Sequence, residues 1–256
     1  MGISLLEGIG NFVIRRMEEL GTIVLLYMET LRHTFHKPRL RQIIKQMSHL
    51  GVDSLSIVSL TLLFTGVVLT LQTAHEFIRF GAQSTVGGVV SIAIGRELGP
   101  VLVGVVCAGR VGSAITAEIS TMKVTEQIDA LRVMAVNPVQ YLIVPRMLAC
   151  MIVVPILTMF GDLVGVFGGW LIAVYYSGIS SYTFIHSIEM FAKAYDLTGG
   201  MLKAVFFGNV IAVLGCYYGL HCPEGAEGVG KATTRTVVAS IVVIFMLNAL
   251  LTFFIY

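Results

Sequence analysis

Long apolar segments separated by short polar ones constrain the fold of this chain more than any other feature. A transmembrane helix needs about 20 predominantly apolar residues, and segments of about that length recur at 54–72, 100–121, 146–176, 201–220 and 236–254. Only 12% of the 256 residues are charged, about half the share in ordinary soluble domains. The sequence therefore predicts an all-α integral membrane protein with five spans.

The first 50 residues differ from the rest. They mix apolar with charged residues, and their longest clean apolar run, 22–28, is too short to cross a bilayer. We expect one or two amphipathic helices over 3–35 that lie in the membrane interface. Residues 1–50 are thus predicted to form an N-terminal interfacial segment, and residues 51–256 a transmembrane domain.

Lysine and arginine predict the orientation, because cytoplasmic loops carry an excess of both. Only Arg79, Lys193 and Lys203 fall on the side opposite the N-terminus. We therefore expect a cytoplasmic N-terminus and a C-terminus on the outer side. The proposed inner segments hold Arg15, Arg16, Arg32, Lys37, Arg39, Arg41, Lys45, Lys123, Arg132, Arg146, Lys231 and Arg235.

The second apolar region, 84–122, is too long for one straight crossing of roughly 30 Å of hydrocarbon. Gly99-Pro100 predicts a break or kink within it. Residues 85–98 would then form a helical lead-in near the outer face.

The third span carries small residues at helical spacing, Gly161, Gly165 and Gly169. Such faces let helix backbones approach closely in lipid. The face could pack within one subunit or against a second copy, and the sequence leaves both open.

Residues 125–134 read as a short amphipathic helix between the second and third spans. Thr125 is expected to be the N-cap, with Glu126 in the first turn. The helix could rest on lipid, but its shortness and its place on the basic side favour docking of a soluble protein. The candidate docking residues are Thr125, Glu126, Gln127, Asp129, Leu131 and Arg132.

Five charged residues lie inside otherwise apolar segments: Arg96, Glu97, Arg110, Glu118 and Asp162. Charges at membrane depth are costly and usually mark function. They could also only neutralise one another, with Arg110 pairing with Asp162 or Glu118. Arg96 and Glu97 precede the expected break, where side chains could reach a cavity.

One motif is misleading. The letters from Gly225 to Lys231 match G-x-x-x-x-G-K, but Ala232 replaces the Ser or Thr that holds magnesium, and no strand precedes the match. We interpret it as a Gly-rich cytoplasmic loop. The cysteines and His221 do not form a metal-ligand pattern, and no catalytic constellation is visible. We expect a non-catalytic chain that binds no cofactor, metal or nucleic acid.

Several blocks resemble the MlaE/YrbE family of ABC-transporter permeases. They are R-E-L-G-P from Arg96, A-G-R-V-G-S-A-I-T-A-E-I from Ala108, T-E-Q-I-D-A-L from Thr125 and G-K-A-T-T-R-T-V-V-A-S from Gly230. The blocks occur in order and the resemblance covers nearly all of the chain after about residue 40.

The resemblance implies the membrane subunit of a phospholipid transporter in the bacterial inner membrane. Two permease copies would pair with two copies of a cytoplasmic ATPase, which holds the ATP and magnesium. An MCE-domain protein would sit on the outer side, and in some systems a STAS-domain protein binds the ATPase. The 125–134 helix becomes the coupling helix, and the absence of a transit peptide favours a bacterial source over a plastid.

The resemblance also suggests where lipid binds. Arg96, Glu97 and Lys203 become lipid contacts, because the guanidinium fork and the ammonium suit a phosphate while Glu97 would orient Arg96. Leu62, Leu69 and Leu71 of the first span are wall candidates.

Two other functions compete with this interpretation. An ion-coupled secondary transporter would show inverted repeats, and five spans without a visible repeat count against it. An intramembrane enzyme acting on lipid would need a catalytic constellation.

Overall fold

A computed structural model describes residues 2–34 and 40–256. Lys37 and Arg39, and the side chains of Arg15 and Arg16, lie outside this description. Every regular element in the described residues is helical, which confirms the all-α prediction.

Ten α-helices follow one another in the described residues. They are α1 (Gly2–Thr34), α2 (Leu40–Arg79), α3 (Val86–Ala93), α4 (Gly99–Cys107), α5 (Ser113–Val124), α6 (Gln127–Val133), α7 (Val144–Tyr175), α8 (Ser181–Phe191), α9 (Ala194–Leu220) and α10 (Ala226–Ile255). Within the part of the chain that the structure describes, five stretches are long and apolar enough to cross a membrane, which confirms the predicted number of spans. They are Leu40–Arg79, Gln83–Val124, Val139–Tyr175, Ala194–Leu220 and Ala226–Ile255.

The second span is not broken at Gly99-Pro100, so the expectation of a break there was wrong. Helix continues from Gln83 to Val124, and a π-helical segment, Ile94–Leu98, leads directly into α4. The wider turn accommodates the proline without ending the helix. Since Pro100 has no N–H for the Arg96 carbonyl four residues earlier, that carbonyl accepts a hydrogen bond from Lys203 Nζ at 3.0 Å instead.

Glycine contacts hold the first and third spans together. The helices α2 and α7 run parallel, so that Gly51 lies beside Val153 and Gly66 lies against the backbone of Gly165. Gly161 packs on Leu62. The small-residue face of α7 therefore packs against α2 of the same chain, which settles the alternative that the sequence left open for this face.

The bundle has two distinguishable ends. At one end α8 covers α3, with the amide of Gly88 donating to Ser187 Oγ at 2.9 Å. We call this the α8 end. The opposite end carries α6, where α5 finishes and Lys123 Nζ donates to the carbonyl of Cys222 at 2.9 Å. We call it the α6 end.

The N-terminal region is one helix, α1, rather than two. It is joined to α9 by side-chain hydrogen bonds, from Asn209 Nδ2 to Tyr27 Oη at 2.9 Å and from Tyr218 Oη to Glu19 Oε1 at 3.0 Å. Large apolar side chains such as Leu25 and Met28 stay exposed. Its position in a membrane interface remains a prediction.

The Gly66 contact gives a test of the packing. A methyl group at Gly66 would collide with the Gly165 carbonyl, so Gly66→Ala should destabilise the fold by about 1–3 kcal/mol. Thermal unfolding in detergent measures this. Gly21→Ala is the matched control, because a Cβ at Gly21 meets no atom within 4 Å. Equal midpoints for the two variants would contradict the packing.

Candidate functional site

Charged side chains from two elements, the π-helical segment Ile94–Leu98 and α9, meet at the α8 end. Nε and Nη2 of Arg96 both lie 2.7 Å from Asp196 Oδ1, at the start of α9. Glu97 Oε1 lies 2.7 Å from Nζ of Lys203, two turns further along α9. Two ion pairs thus tie the π-helical segment of the second span to the fourth span.

Lys203 is the innermost of these charges. Its side chain is fully buried, and Nζ has three acceptors: Glu97 Oε1, the Arg96 carbonyl at 3.0 Å and Thr252 Oγ1 at 2.8 Å. A lysine ammonium has three N–H donors, so each donor is matched. The structure therefore leaves Lys203 no free donor for a ligand in this conformation, and its predicted contact with lipid stays a prediction.

Glu97 connects the pair to the fifth span. Its Oε2 accepts a hydrogen bond from Asn248 Nδ2 at 2.9 Å, and Thr252 Oγ1 lies 3.0 Å from Oε1. The expectation that Glu97 orients Arg96 was wrong. Adjacent helical residues point in different directions, so Arg96 meets Asp196 while Glu97 meets Lys203.

Arg96 is the one member of this cluster whose cationic group is partly open. Its side chain is 36% exposed, and its guanidinium carbon lies 4.6 Å from the centre of the Tyr256 ring. Tyr256 Oη in turn donates to the Asp196 carbonyl at 3.1 Å. Nη1 has no partner among the described residues. This side chain is held in place and still offers hydrogen-bond donors.

Sequence reasoning missed Asp196, Asn248, Thr252 and Tyr256. Asp196 lies outside the predicted apolar segments, and the other three lie at the end of the last one without a motif. The available signal was that Asn248 and Thr252, two polar residues in an apolar span, are four residues apart and therefore lie on the same face of a helix.

The three leucines proposed as cavity walls differ in their surroundings. Leu62 is fully buried and packs on Gly161, so its assignment to an open wall was wrong. Leu69 is half-buried against the core, whereas Leu71 is 40% exposed. Of the three, Leu71 is the one open to a ligand.

The remaining intramembrane charges do not pair as expected. Glu118 pairs with Arg146 at 2.8 Å. Arg110 has Asp53 as its nearest carboxylate, at 4.0 Å. Asp162 is buried, and neither carboxylate oxygen has a partner in the described part of the chain. The predicted pairing of Arg110 with Asp162 or Glu118 was wrong, because Asp53 and Arg146 come closer in the folded bundle.

A short helix does lie between the second and third spans, but it begins later than expected. Thr125 is not its N-cap: the Thr125 hydroxyl donates to the Thr121 carbonyl at 2.8 Å and belongs to the end of α5. Glu126 adopts a left-handed conformation with φ 59° and precedes α6. The tight turn redirects the chain so that α6 can lie across the end of the bundle.

Helix α6 presents one apolar and one charged face. Ile128 is buried and Leu131 packs against the core. Asp129 and Arg132 form an exposed pair at 2.9 Å, and Gln127 is exposed. This polar face is the part of α6 that a soluble partner can reach.

The G-x-x-x-x-G-K letters do not form a loop, which corrects the earlier interpretation. Gly225 turns the chain with φ 85°, and Gly228, Gly230 and Lys231 lie in the first turns of α10. Lys231 pairs with Glu227 along this helix at 2.6 Å. A phosphate-binding loop would follow a strand, and here the preceding element is α9.

Comparison with known proteins gives consistent matches. The family model described as "Permease MlaE" matches residues 43–254. A Rickettsia felis protein named "Probable ABC transporter permease protein" is 39% identical over 98% of both chains. The Haemophilus influenzae "Intermembrane phospholipid transport system permease protein MlaE" is 37% identical over 98% of this chain and 97% of its own length. An Arabidopsis thaliana chloroplastic protein, "TRIGALACTOSYLDIACYLGLYCEROL 1", is 38% identical over 84% of this chain and 62% of its own.

The full burial of Lys203 predicts strong coupling between Glu97 and Lys203. Glu97→Gln leaves a buried ammonium without its counter-charge and should cost about 3 kcal/mol of folding free energy. The double variant Glu97→Gln with Lys203→Met should recover most of this loss. Thermal unfolding of the single and double variants in detergent measures the coupling.

An exposed ion pair serves as the control for this cycle. Lys231→Met removes the pair with Glu227, whose side chains are both largely exposed, and should change stability by about 0.5 kcal/mol or less. Additive losses in the Glu97 and Lys203 variants would show that the two residues are not coupled.

Proposed function

Because the chain belongs to the MlaE permease family, we propose that it is the membrane subunit of an ABC transporter that moves phospholipid. The observation that carries the proposal is the near full-length similarity to the Haemophilus influenzae phospholipid transport permease. In this proposal the chain is not an enzyme. A separate ATPase binds ATP and magnesium, since the G-x-x-x-x-G-K letters lie in a helix without the hydroxyl residue that magnesium needs.

An ion-coupled secondary transporter is not favoured. Such proteins are built from repeats whose broken helices meet at a central site. Here the charges at the α8 end are satisfied mainly by one another, and the family model describes a permease.

The orientation is part of the proposal. The Lys and Arg distribution supports a cytoplasmic α6 end and an outer α8 end with Tyr256. For a bacterial chain the membrane is the inner membrane, and the α8 end then faces the periplasm.

Three surfaces of the bundle are assigned to partners: the α6 end, the α8 end and the exposed face of α10. An ABC ATPase dimer docks on the polar face of α6, with a STAS-domain protein bound to the ATPase in some systems. An MCE-domain protein receives or delivers lipid at the α8 end. A second copy of the chain packs along α10, which is the least buried of the five spans and exposes Phe245, Met246 and Phe253.

Lipid recognition is assigned to Arg96. A planar guanidinium suits a phosphate, and Asp196 and the Tyr256 ring fix its position. Lys203 lies behind it and holds the Arg96 backbone through the hydrogen bond to its carbonyl, while Glu97 supplies the counter-charge of that lysine. Leu71 and the half-buried Leu69 remain candidates for acyl-chain contact.

The docking assignment is tested by charge reversal on α6. Asp129→Lys should weaken co-purification with the ATPase at least about tenfold, since the polar face of α6 then presents the opposite charge at the proposed interface. The fold should be unchanged, because the Asp129–Arg132 pair is exposed. Purified transporter should also lose the coupling between ATP hydrolysis and lipid transfer.

Glu189→Lys is the matched control for Asp129→Lys. Glu189 forms a similar exposed i,i+3 contact with His186, at 3.8 Å, but on α8 at the opposite end. It should leave ATPase binding intact. Loss of the ATPase in both variants, or in neither, would overturn the docking assignment.

The lipid assignment is tested by Arg96→Gln in the reconstituted transporter. Glutamine keeps an N–H donor for the buried Asp196, whose Oδ2 also accepts from the Lys193 amide at 2.8 Å. The transporter should therefore still assemble, with a loss of stability that thermal unfolding measures beside transfer. Phospholipid transfer should fall about tenfold or more, the ratio expected for a lost charge-assisted hydrogen bond.

Arg79→Gln controls for a general effect of positive charge at the α8 end. Arg79 is exposed and lies 3.6 Å from Glu76. Transfer by this variant should match the unmodified transporter. Normal transfer by Arg96→Gln would remove Arg96 from the lipid path.

A further inference from the structure

A second polar cluster lies in the half of the bundle nearer the α6 end. It lines a surface groove of about 650 Å³ between α2 and the second span, a volume within the usual range for small-molecule sites. The groove is separate from the Arg96 cluster and borders the second π-helical segment, Ala108–Gly112. Segments of this kind occur often at functional sites.

The groove changes from polar to apolar along its length. His49 and Asp53 on α2, with Ser113 on α5, line the part towards the α6 end, whereas Ile57 and Val105 line the part towards the bundle centre. The gradient arises because α2 and the second span run in opposite directions, so both change from polar to apolar towards the centre. A phospholipid in the adjacent leaflet has the same profile.

Arg110 projects from the π-helical segment into this groove. The Ser113 hydroxyl lies against the Gly109 carbonyl and is 3.0 Å from the Arg110 carbonyl, so it covers the carbonyls of this turn. The Arg110 side chain is 48% exposed, and among the described residues no carboxylate comes nearer than Asp53, at 4.0 Å. Most of its five donors are therefore available.

Asp53 also has a free acceptor. His49 Nδ1 lies 3.0 Å from Asp53 Oδ2, and the same oxygen is the one 4.0 Å from Arg110 Nη2. The ion pairs of Asp53 with described residues both involve Oδ2, and none involves Oδ1. The groove thus presents a cation with free donors and an anion with a free acceptor, side by side.

We propose that this groove binds a phospholipid with a primary-amine headgroup, drawn from the leaflet at the α6 end. Arg110 takes the phosphate as a bidentate donor, and Asp53 accepts from the ammonium. One acyl chain lies along Ile57 and Val105. The proposal rests on phospholipid being the transported substrate and names the headgroup that the transporter selects on this side.

The pairing of opposite charges argues for lipid rather than a second copy of the chain. An apolar helix face of a second copy would cover the apolar part of the groove. It would also leave Arg110 and Asp53 without further hydrogen-bond partners at membrane depth, which is costly. A zwitterionic headgroup satisfies both groups at once.

A photo-cross-linking amino acid at Gly109 tests the proposal. Gly109 lines the groove, and a Cβ there meets no atom within 4 Å. The full-length chain is placed in nanodiscs of equal phosphatidylethanolamine, phosphatidylcholine and phosphatidylglycerol, and captured lipid is identified by mass spectrometry. Phosphatidylethanolamine should exceed phosphatidylcholine about fivefold, the ratio for roughly 1 kcal/mol from a partly exposed ion pair.

Two substitutions separate the roles of the charges. Asp53→Asn should abolish the preference for phosphatidylethanolamine over phosphatidylcholine, which differ in N–H donors and share the phosphate. Arg110→Gln should lower capture of all three lipids. The comparison of lipids in the unsubstituted background decides the question even if either variant fails to fold.

The same cross-linker at Gly21 is the control, because that position is equally open and lies on α1. It should capture lipids in the proportions of the bilayer. Bilayer proportions at Gly109, or capture of a second copy of the chain, would overturn the proposal.

The experiment distinguishes failure of the groove proposal from failure of the proposed transport function. If transfer is normal but the cross-linker at Gly109 captures lipids in the proportions of the bilayer, the groove proposal is wrong and the transport function stands. A clear headgroup preference at Gly109 in a transporter that moves no phospholipid would leave the binding site in place and overturn the function.

Discussion

The ion pair between the buried Lys203 and the partly exposed Glu97 is the interaction on which the arrangement of the α8 end depends. Lys203 lies on a span that is otherwise apolar, and a lone ammonium there would be strongly unfavourable. Glu97, Thr252 and the Arg96 carbonyl match its three donors, and Asn248 completes the shell around Glu97. Three spans are thereby fixed relative to one another in a membrane, where the hydrophobic effect does little to join helices. The position of Arg96 is fixed as well, because its carbonyl bonds to Lys203 and its guanidinium bonds to Asp196.

Backbone irregularities make this geometry available. The π-helical segment Ile94–Leu98 absorbs Pro100 without ending the helix, and the carbonyl freed by the proline becomes an acceptor for Lys203. The second π-helical segment, Ala108–Gly112, presents Arg110 at the groove near the α6 end. Glycines at α2–α7 and α7–α9 contacts, such as Gly66 and Gly208, bring the helices near enough for short side chains to fill the core.

The two charged clusters differ in how completely they are satisfied. At the α8 end, each acid has a close basic partner, and one face of Arg96 stays open. In the groove, Arg110 and Asp53 stand at 4.0 Å with unused donors and an unused acceptor. A transporter must bind a charged headgroup without holding it too tightly, and partly satisfied charges suit that requirement. In the proposed function the two clusters lie in opposite leaflets, so they would meet lipid at different stages of its transfer.

The sequence by itself determined that the chain is an all-α membrane protein with five spans and a short helix between the second and third. Apolar length and the Lys and Arg distribution are local properties, so they can be read without knowing which helices touch. It also identified Arg96, Glu97 and Lys203 as unusual. Their partners were decided only by the tertiary structure: the sequence paired Arg96 with Glu97 and Arg110 with Asp162 or Glu118, whereas folding pairs them across spans with Asp196, Lys203 and Asp53. Leu62 and Thr125 were misassigned for the same reason. Which face of a helix is buried, and which residue ends it, depend on neighbours that are distant in sequence and come together only when the spans pack.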